Sequence, residues 1–157
     1  MAFLQDLYPD DFSHCYGCGR LNPHGLHVKS EWTGDSAVAR FRPDPSHIAL
    51  PGFVYGGLIA SLIDCHAMAT AAAASMSRAG AVPGRDQTPR FVTASLRVDF
   101  RRPTPLGADI VLTARPLEAS DRKVIVSVSL SADDVECARG EVVAVPAPPS
   151  MRPAPAR

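Results

Sequence analysis

Gly57-Leu-Ile-Ala-Ser-Leu-Ile-Asp64-Cys-His-Ala-Met-Ala-Thr-Ala-Ala-Ala-Ala-Ser-Met-Ser77 decides the fold. Leu58, Ile59, Leu62, Ile63, Cys65, Ala67, Met68, Ala69 and Ala71 to Ala74 leave almost no polar face on a helix from about Gly57 to Ser77, and a helix apolar all round is a buried one. Asp64 and His66 interrupt the apolar run, and its alanine-rich half is only weakly hydrophobic, so a buried soluble helix is expected rather than a membrane span. The helix starts where it does because Pro43, Pro45, Pro51 and Gly52 forbid regular structure before Gly56-Gly57.

Strands lie on both sides of it. Upstream, Leu26 to Trp32 and Ser36 to Phe41 read as a hairpin around Thr33-Gly34-Asp35. Downstream of Gly80 to Gly84 the period changes to two: Val92, Ala94, Leu96, Val98 and Phe100 alternate with Thr93, Ser95, Arg97, Asp99 and Arg101. Asp109 to Leu117, Lys123 to Ala132 and Val135 to Val145 follow as three more strands, joined by links short enough to require antiparallel neighbours. The order predicts an α+β fold in which one antiparallel sheet of about six strands covers one long helix. Residues 1–25, rich in Cys, Gly, Pro and His from Asp10 onward, read as an irregular N-terminal segment; residues 26–146 form the domain. Residues 147–157 read as a disordered proline-rich tail.

The chain has 157 residues, 46% hydrophobic and 20% charged, which is one domain with a core large enough to need neither metal nor disulfide. Sixteen basic residues against 16 acidic ones give no field to gather nucleic acid or an anionic membrane. The first twelve residues carry three aspartates and no basic residue, unlike a secretory signal, so a cytoplasmic protein with free thiols is expected. Cys15-x-x-Cys18, with His14, His24 and His27 nearby, suits one side of a tetrahedral zinc site. A second cysteine pair is missing, so no metal and no cofactor are expected, and the segment reads as a structural loop.

Asp64 stands out because an unpartnered buried charge costs several kcal/mol. A pairing with His66, an arginine or a backbone donor of a second subunit would account for it, as would a solvated stripe; a catalytic role is the alternative. Gly57, Ser61, Asp64 and Met68 fall at i, i+4, i+7 and i+11, one face carrying a glycine terminus, a hydroxyl and a carboxylate. Gly56-Gly57 is either a turn that satisfies backbone geometry or a helix N-terminus whose free N–H groups hold an oxygen gaining negative charge. In the second case a carbonyl held there is expected within reach of Asp64, acting as general base on water or as nucleophile.

Pro51-Gly-Phe-Val-Tyr-Gly-Gly57 followed by Leu-Ile-Ala-Ser-Leu-Ile-Asp64 resembles the glycine-pair-to-acid signature of hotdog-fold acyl-CoA thioesterases of the phenylacetate-pathway type. Cys15-Tyr-Gly-Cys-Gly19, Asn22-Pro23 and Gly25-Leu26 resemble the N-terminal loop of one branch of that group, and Val98-Asp-Phe-Arg-Arg-Pro-Thr104 resembles its central strand. The resemblance implies a hotdog fold, an acyl-CoA substrate and a dimer or tetramer. It implies Asp64 as the catalytic carboxylate, the Gly56 amide as the carbonyl-polarising group and Thr93 as a hydroxyl that orients water near the acid. Tyr55 replaces the histidine usual before the glycine pair, and Ile48, Ala49 and Leu50 replace an upstream side-chain amide.

Tyr55, which lies directly before the apolar helix, reads as a lid on the acyl chain or as a hydroxyl donor to the thioester carbonyl. Thr93 alternates with the apolar face of its strand, so it reaches Asp64 most easily from a partner subunit or from a twisted strand end. Arg97, Arg101 and Arg102 either meet the phosphates of coenzyme A or form an ordinary solvated strand face. His47 and His66 read as packing or surface residues rather than bases. The alternatives to hydrolysis are a non-catalytic acyl-CoA or hydrophobic-ligand-binding module and, third, a hydratase or dehydratase. Self-association is also expected because one helix cannot cover the long strand's edge.

Overall fold

The computed structural model describes residues 1–154. Helix α1 (Gly56–Arg78) lies against six strands: β1 (Ser30–Trp32), β2 (Ala37–Phe41), β3 (Phe91–Phe100), β4 (Ile110–Ala119), β5 (Val124–Ala132) and β6 (Val135–Pro146). They form one sheet in the order β1-β2-β4-β5-β6-β3, with every neighbouring pair antiparallel. One long helix wrapped by a six-stranded antiparallel sheet is the α+β arrangement read from the sequence pattern and the hotdog fold that the resemblance implied.

Strand periodicity builds the core. Val124, Val126, Val128, Leu130 and Ala132 of β5 are all buried and alternate with half-buried residues, and buried Ile110, Leu112 and Ala114 of β4 alternate with half-buried or exposed ones. The helix meets them with Leu62, Ile63, Ala67 and Ala71, its small residues letting the sheet approach. Gly140 of β6 marks a close approach, since a Cβ there would lie 2.5 Å from Ile63 Cγ2. By length and composition α1 could cross a membrane, and 78% of its most apolar window is buried inside this domain.

Four expectations need adjustment. The first strand is shorter than Leu26 to Trp32, because Leu26 and Val28 donate their N–H groups to Tyr16 O and Gly17 O, and His27 turns the chain with φ 54°. Residues 1–25 are more ordered than an irregular loop: 3-10 turns at Leu4–Leu7 and Asp10–Phe12 set a fully buried Leu4 beside Ala69 and Ala73 of α1. The alternation along β3 is also broken. Thr93 pairs with Ala144 and Ser95 with Val143, so Ala94 is an extra, bulged residue, and side-chain parity reverses there. In the segment read as a tail, Ala147 is buried and donates its N–H to Arg90 O, and a 3-10 turn spans Pro149–Met151; residues 155–157 of that segment lie outside the described residues.

His66 is a packing residue, fully buried on the sheet side of α1. Its Nε2 lies 3.1 Å from Ala37 O, which can only accept, so Nε2 carries the proton and Nδ1 accepts from Ser30 Oγ at 2.8 Å. Gln5 completes the network: its Nε2 donates to Ser30 Oγ and its Oε1 accepts from Ser30 N, both at 2.8 Å. Burial lowers the His66 pKa to about 4, which keeps the ring neutral. Ser30→Ala removes a partner from both His66 and Gln5, and it is expected to destabilise the fold by about 1–3 kcal/mol, read as a shifted denaturation midpoint at unchanged slope.

Candidate active site

Asp64 sits two turns into α1, half-buried. Thr93 Oγ1 donates to Asp64 Oδ1 at 2.5 Å from within the same chain. The bulge at Ala94 makes this possible: Phe91 and Thr93 share the helix-facing side with Val98 and Phe100 although their parity differs. No partner subunit is needed to bring Thr93 to the acid, and the hydroxyl lies on the carboxylate itself. Burial pushes the Asp64 carboxyl above the usual range; the Thr93 bond opposes this, the Cys15 sulfur adds to it and Arg90 opposes it.

Tyr55 caps the helix with an extended backbone, and its side chain makes no capping hydrogen bond to the first-turn N–H groups. Gly56 and Gly57 therefore head the helix with free donors. A Cβ on Gly57 would lie 2.4 Å from Tyr55 Cε1, so the tyrosine ring lies directly against that glycine. Tyr55 is 57% exposed and lines a cleft with Tyr16, Leu26, Ile48, Gly57 and Ser61. Within that cleft the Ser61 hydroxyl is already engaged, donating to Gly57 O at 2.8 Å. Gly56 opens on the other side into a second groove with Leu50, Phe53, Ile59, Phe100, Arg101 and Arg102, apolar below and cationic at the rim. Arg101 also pairs with Glu136 at 3.5 Å; Arg97 faces away on the exposed strand, 3.6 Å from Asp99.

The expectation that one carbonyl reaches both Gly56 and Asp64 of a single chain is corrected by the helix itself. Eight residues of α1 separate them, an axial rise of about 12 Å. They mark two ends of β3 instead: Asp64 is bonded to Thr93, and a Cβ at Gly56 would touch Phe100 at 3.5 Å.

Beside Asp64 lies a group the spacing did not reveal. Cys15 and Cys18 of the N-terminal loop meet Cys65 of α1, with all three sulfurs within 4.8 Å of one another. Arg90, just before β3, points its Nη1 at Cys18 Sγ (3.7 Å) while its guanidinium lies 4.9 Å over the Tyr8 ring.

A long buried helix with an acid two turns in, wrapped by one antiparallel sheet, defines a hotdog-fold protein with a carboxylate site. Residues 51–138, more than half of the chain, match the family model described as Thioesterase superfamily, and the chain belongs to that superfamily. It is similar to a crystal structure of a thioesterase superfamily protein from Shewanella loihica PV-4: TM-score 0.68, 45% identity, covering 88% of this chain and 98% of that one. It is 31% identical over 108 residues to acyl-coenzyme A thioesterase THEM4 of Xenopus laevis, which is 69% of this chain and 43% of that protein. The chain spans less than half the length of the curated relatives it matches. The PaaI protein from the phenylacetic acid degradation operon of E. coli shares the fold at 14% identity, with TM-score 0.64 over 78% of this chain and 81% of that one.

Proposed function

We propose that this protein hydrolyses an acyl-CoA thioester to the free acid and CoA, at sites built between two copies of the chain. The observation that carries the proposal is the placement of Asp64 and Gly56 at opposite ends of an edge strand. Among the described residues β3 pairs only with β6, leaving its outer edge free, with Leu96 40% and Phe100 58% exposed. A twofold axis between Leu96 and Arg97 pairs β3 with its copy antiparallel and sets Thr93 across from the second copy's Phe100. Because Phe100 touches the Gly56 end of its own helix, that end arrives beside Asp64, and the 12 Å gap within one chain (a rise of about 1.5 Å per residue) no longer separates base from oxyanion donor.

In that site Asp64, held by Thr93, takes a proton from water, and the resulting hydroxide adds to the thioester carbonyl. The second copy's Gly56 N–H, at the positive end of its helix, receives the oxyanion. Collapse expels the CoA thiolate, which takes up the proton. Partial burial makes the carboxylate a stronger base than a solvated one. The groove beside Gly56 fits the acyl chain with Leu50, Phe53, Ile59 and Phe100, and the Arg101 and Arg102 rim fits the CoA phosphates. The glycine-pair signature supports a place in the phenylacetate-pathway branch. The name of the curated relative supports the substrate class.

A panel of acyl-CoAs assayed by free-thiol release tests the proposal. Turnover of at least one member is expected. Tight binding of acyl-CoA without thiol release would establish the non-catalytic binding module instead.

A further inference from the structure

We propose that Cys15, Cys18 and Cys65 form a binding site for a thiophilic cation of the Zn2+ class, independent of the hydrolytic proposal above. Zn–S bonds of about 2.3 Å hold tetrahedral ligand sulfurs about 3.8 Å apart. Cys15 Sγ and Cys65 Sγ are 3.9 Å apart, and Cys18 Sγ lies within 4.8 Å of both. Three thiols thus already sit near three corners of one tetrahedron. Cys15 is half-buried, which leaves the fourth position accessible to water or a small ligand.

The loop is built around the sulfurs. Gly19 N–H donates to Cys15 O at 2.8 Å to close the Cys-x-x-Cys turn. A Cβ on Gly17 would lie 2.2 Å from Cys65 Sγ, and one on Gly19 would lie 2.4 Å from Cys15 N. Gly17 is therefore needed to let the helix cysteine approach the loop pair, and Gly19 to let the loop fold back on itself. The surroundings also suit a bound cation. Three thiolates on a divalent ion leave one negative charge, and the Arg90 guanidinium, 3.7 Å from Cys18 Sγ, balances it. The buried Tyr8 hydroxyl has no hydrogen-bond partner among the described residues. Metal binding to the three thiols displaces their protons.

Cys65 explains why the site is illegible in sequence, since its partners lie 50 and 47 positions upstream with α1's whole approach between them. When bound, the cation fastens the N-terminal loop to the helix one residue from Asp64.

The test uses the full chain, reduced and stripped of metal. Titration with Co2+ is expected to give one ion per chain with thiolate-to-cobalt charge-transfer absorption and tetrahedral d–d bands, bleached by one equivalent of Zn2+. Cys15→Ser, at the half-buried position least needed for folding, is expected to weaken Zn2+ more than about a hundredfold, beyond the tenfold to hundredfold loss typical of an outer partner. Cys137→Ser removes a buried thiol that bonds Val135 O outside the cluster and is expected to leave the spectrum unchanged. An octahedral Co2+ spectrum, no uptake, a Cys15↔Cys65 disulfide in place of metal binding, or equal affinity in Cys15→Ser would overturn the proposal.

Discussion

Asp64→Asn is expected to lower kcat by about 10²- to 10⁴-fold, the range that a positioned general base contributes. The substitution is close to isosteric, and the new amide oxygen still accepts from Thr93 Oγ1, so the contact at the end of β3 survives. It also removes a half-buried charge whose burial the fold opposes, so thermal stability is expected to hold or rise rather than fall. Loss of turnover without loss of stability separates a chemical role from a structural ion pair. A variant that keeps more than about a tenth of wild-type kcat removes Asp64 from the mechanism.

Gly56→Pro addresses the other half of the site. Proline is well tolerated at the first position of a helix, where its missing N–H has no intrahelical acceptor to lose. The preceding residue must be extended, and Tyr55 already is, with φ −61° and ψ 129°. A Cβ at position 56 meets only the Phe100 ring, at an ordinary 3.5 Å. The variant therefore deletes one donor while keeping the helix and the groove floor. Deleting an oxyanion donor typically costs about 10²- to 10³-fold in kcat, and that loss is expected here with KM little changed. Unchanged kcat would move the oxyanion site elsewhere, to the Gly57 N–H or to the Tyr55 hydroxyl in the neighbouring cleft.

The parts of this site legible in sequence were those written in local pattern. α1 announced itself by an apolar surface on every side between Gly56-Gly57 and the Gly80 turn, and it begins and ends within one residue of the expected limits. Asp64 and the glycine pair stood out because each is anomalous in its immediate surroundings. Residues that depend on one unpatterned event were hidden. A single bulged residue, Ala94, reverses the parity of β3 and turns Thr93 from the wrong face onto Asp64, and nothing in the alternation of Val92 to Phe100 signals it. The separation of Gly56 and Asp64 was computable from helix rise alone, and the bridge we propose for it needs a second copy of the chain. Leu4, Gln5 and Tyr8 fall in a segment that reads as irregular, because their burial is created by α1 and β1, far along the chain. Cys65 and Arg90 joined the N-terminal cysteines for the same reason: contacts between distant segments leave no spacing to read.

The central claim is that base and oxyanion donor come from different copies, and mixing the two variants tests it most directly. Asp64→Asn and Gly56→Pro chains are co-expressed with different tags and purified through both, so that every dimer recovered is mixed. In such a dimer one site carries both defects and the other carries neither, and about half of wild-type kcat is expected although each parent alone is nearly inactive. If Asp64 instead worked with Gly56 of its own chain, every site in the mixed dimer would carry one defect, and activity no higher than that of the parents would contradict the account.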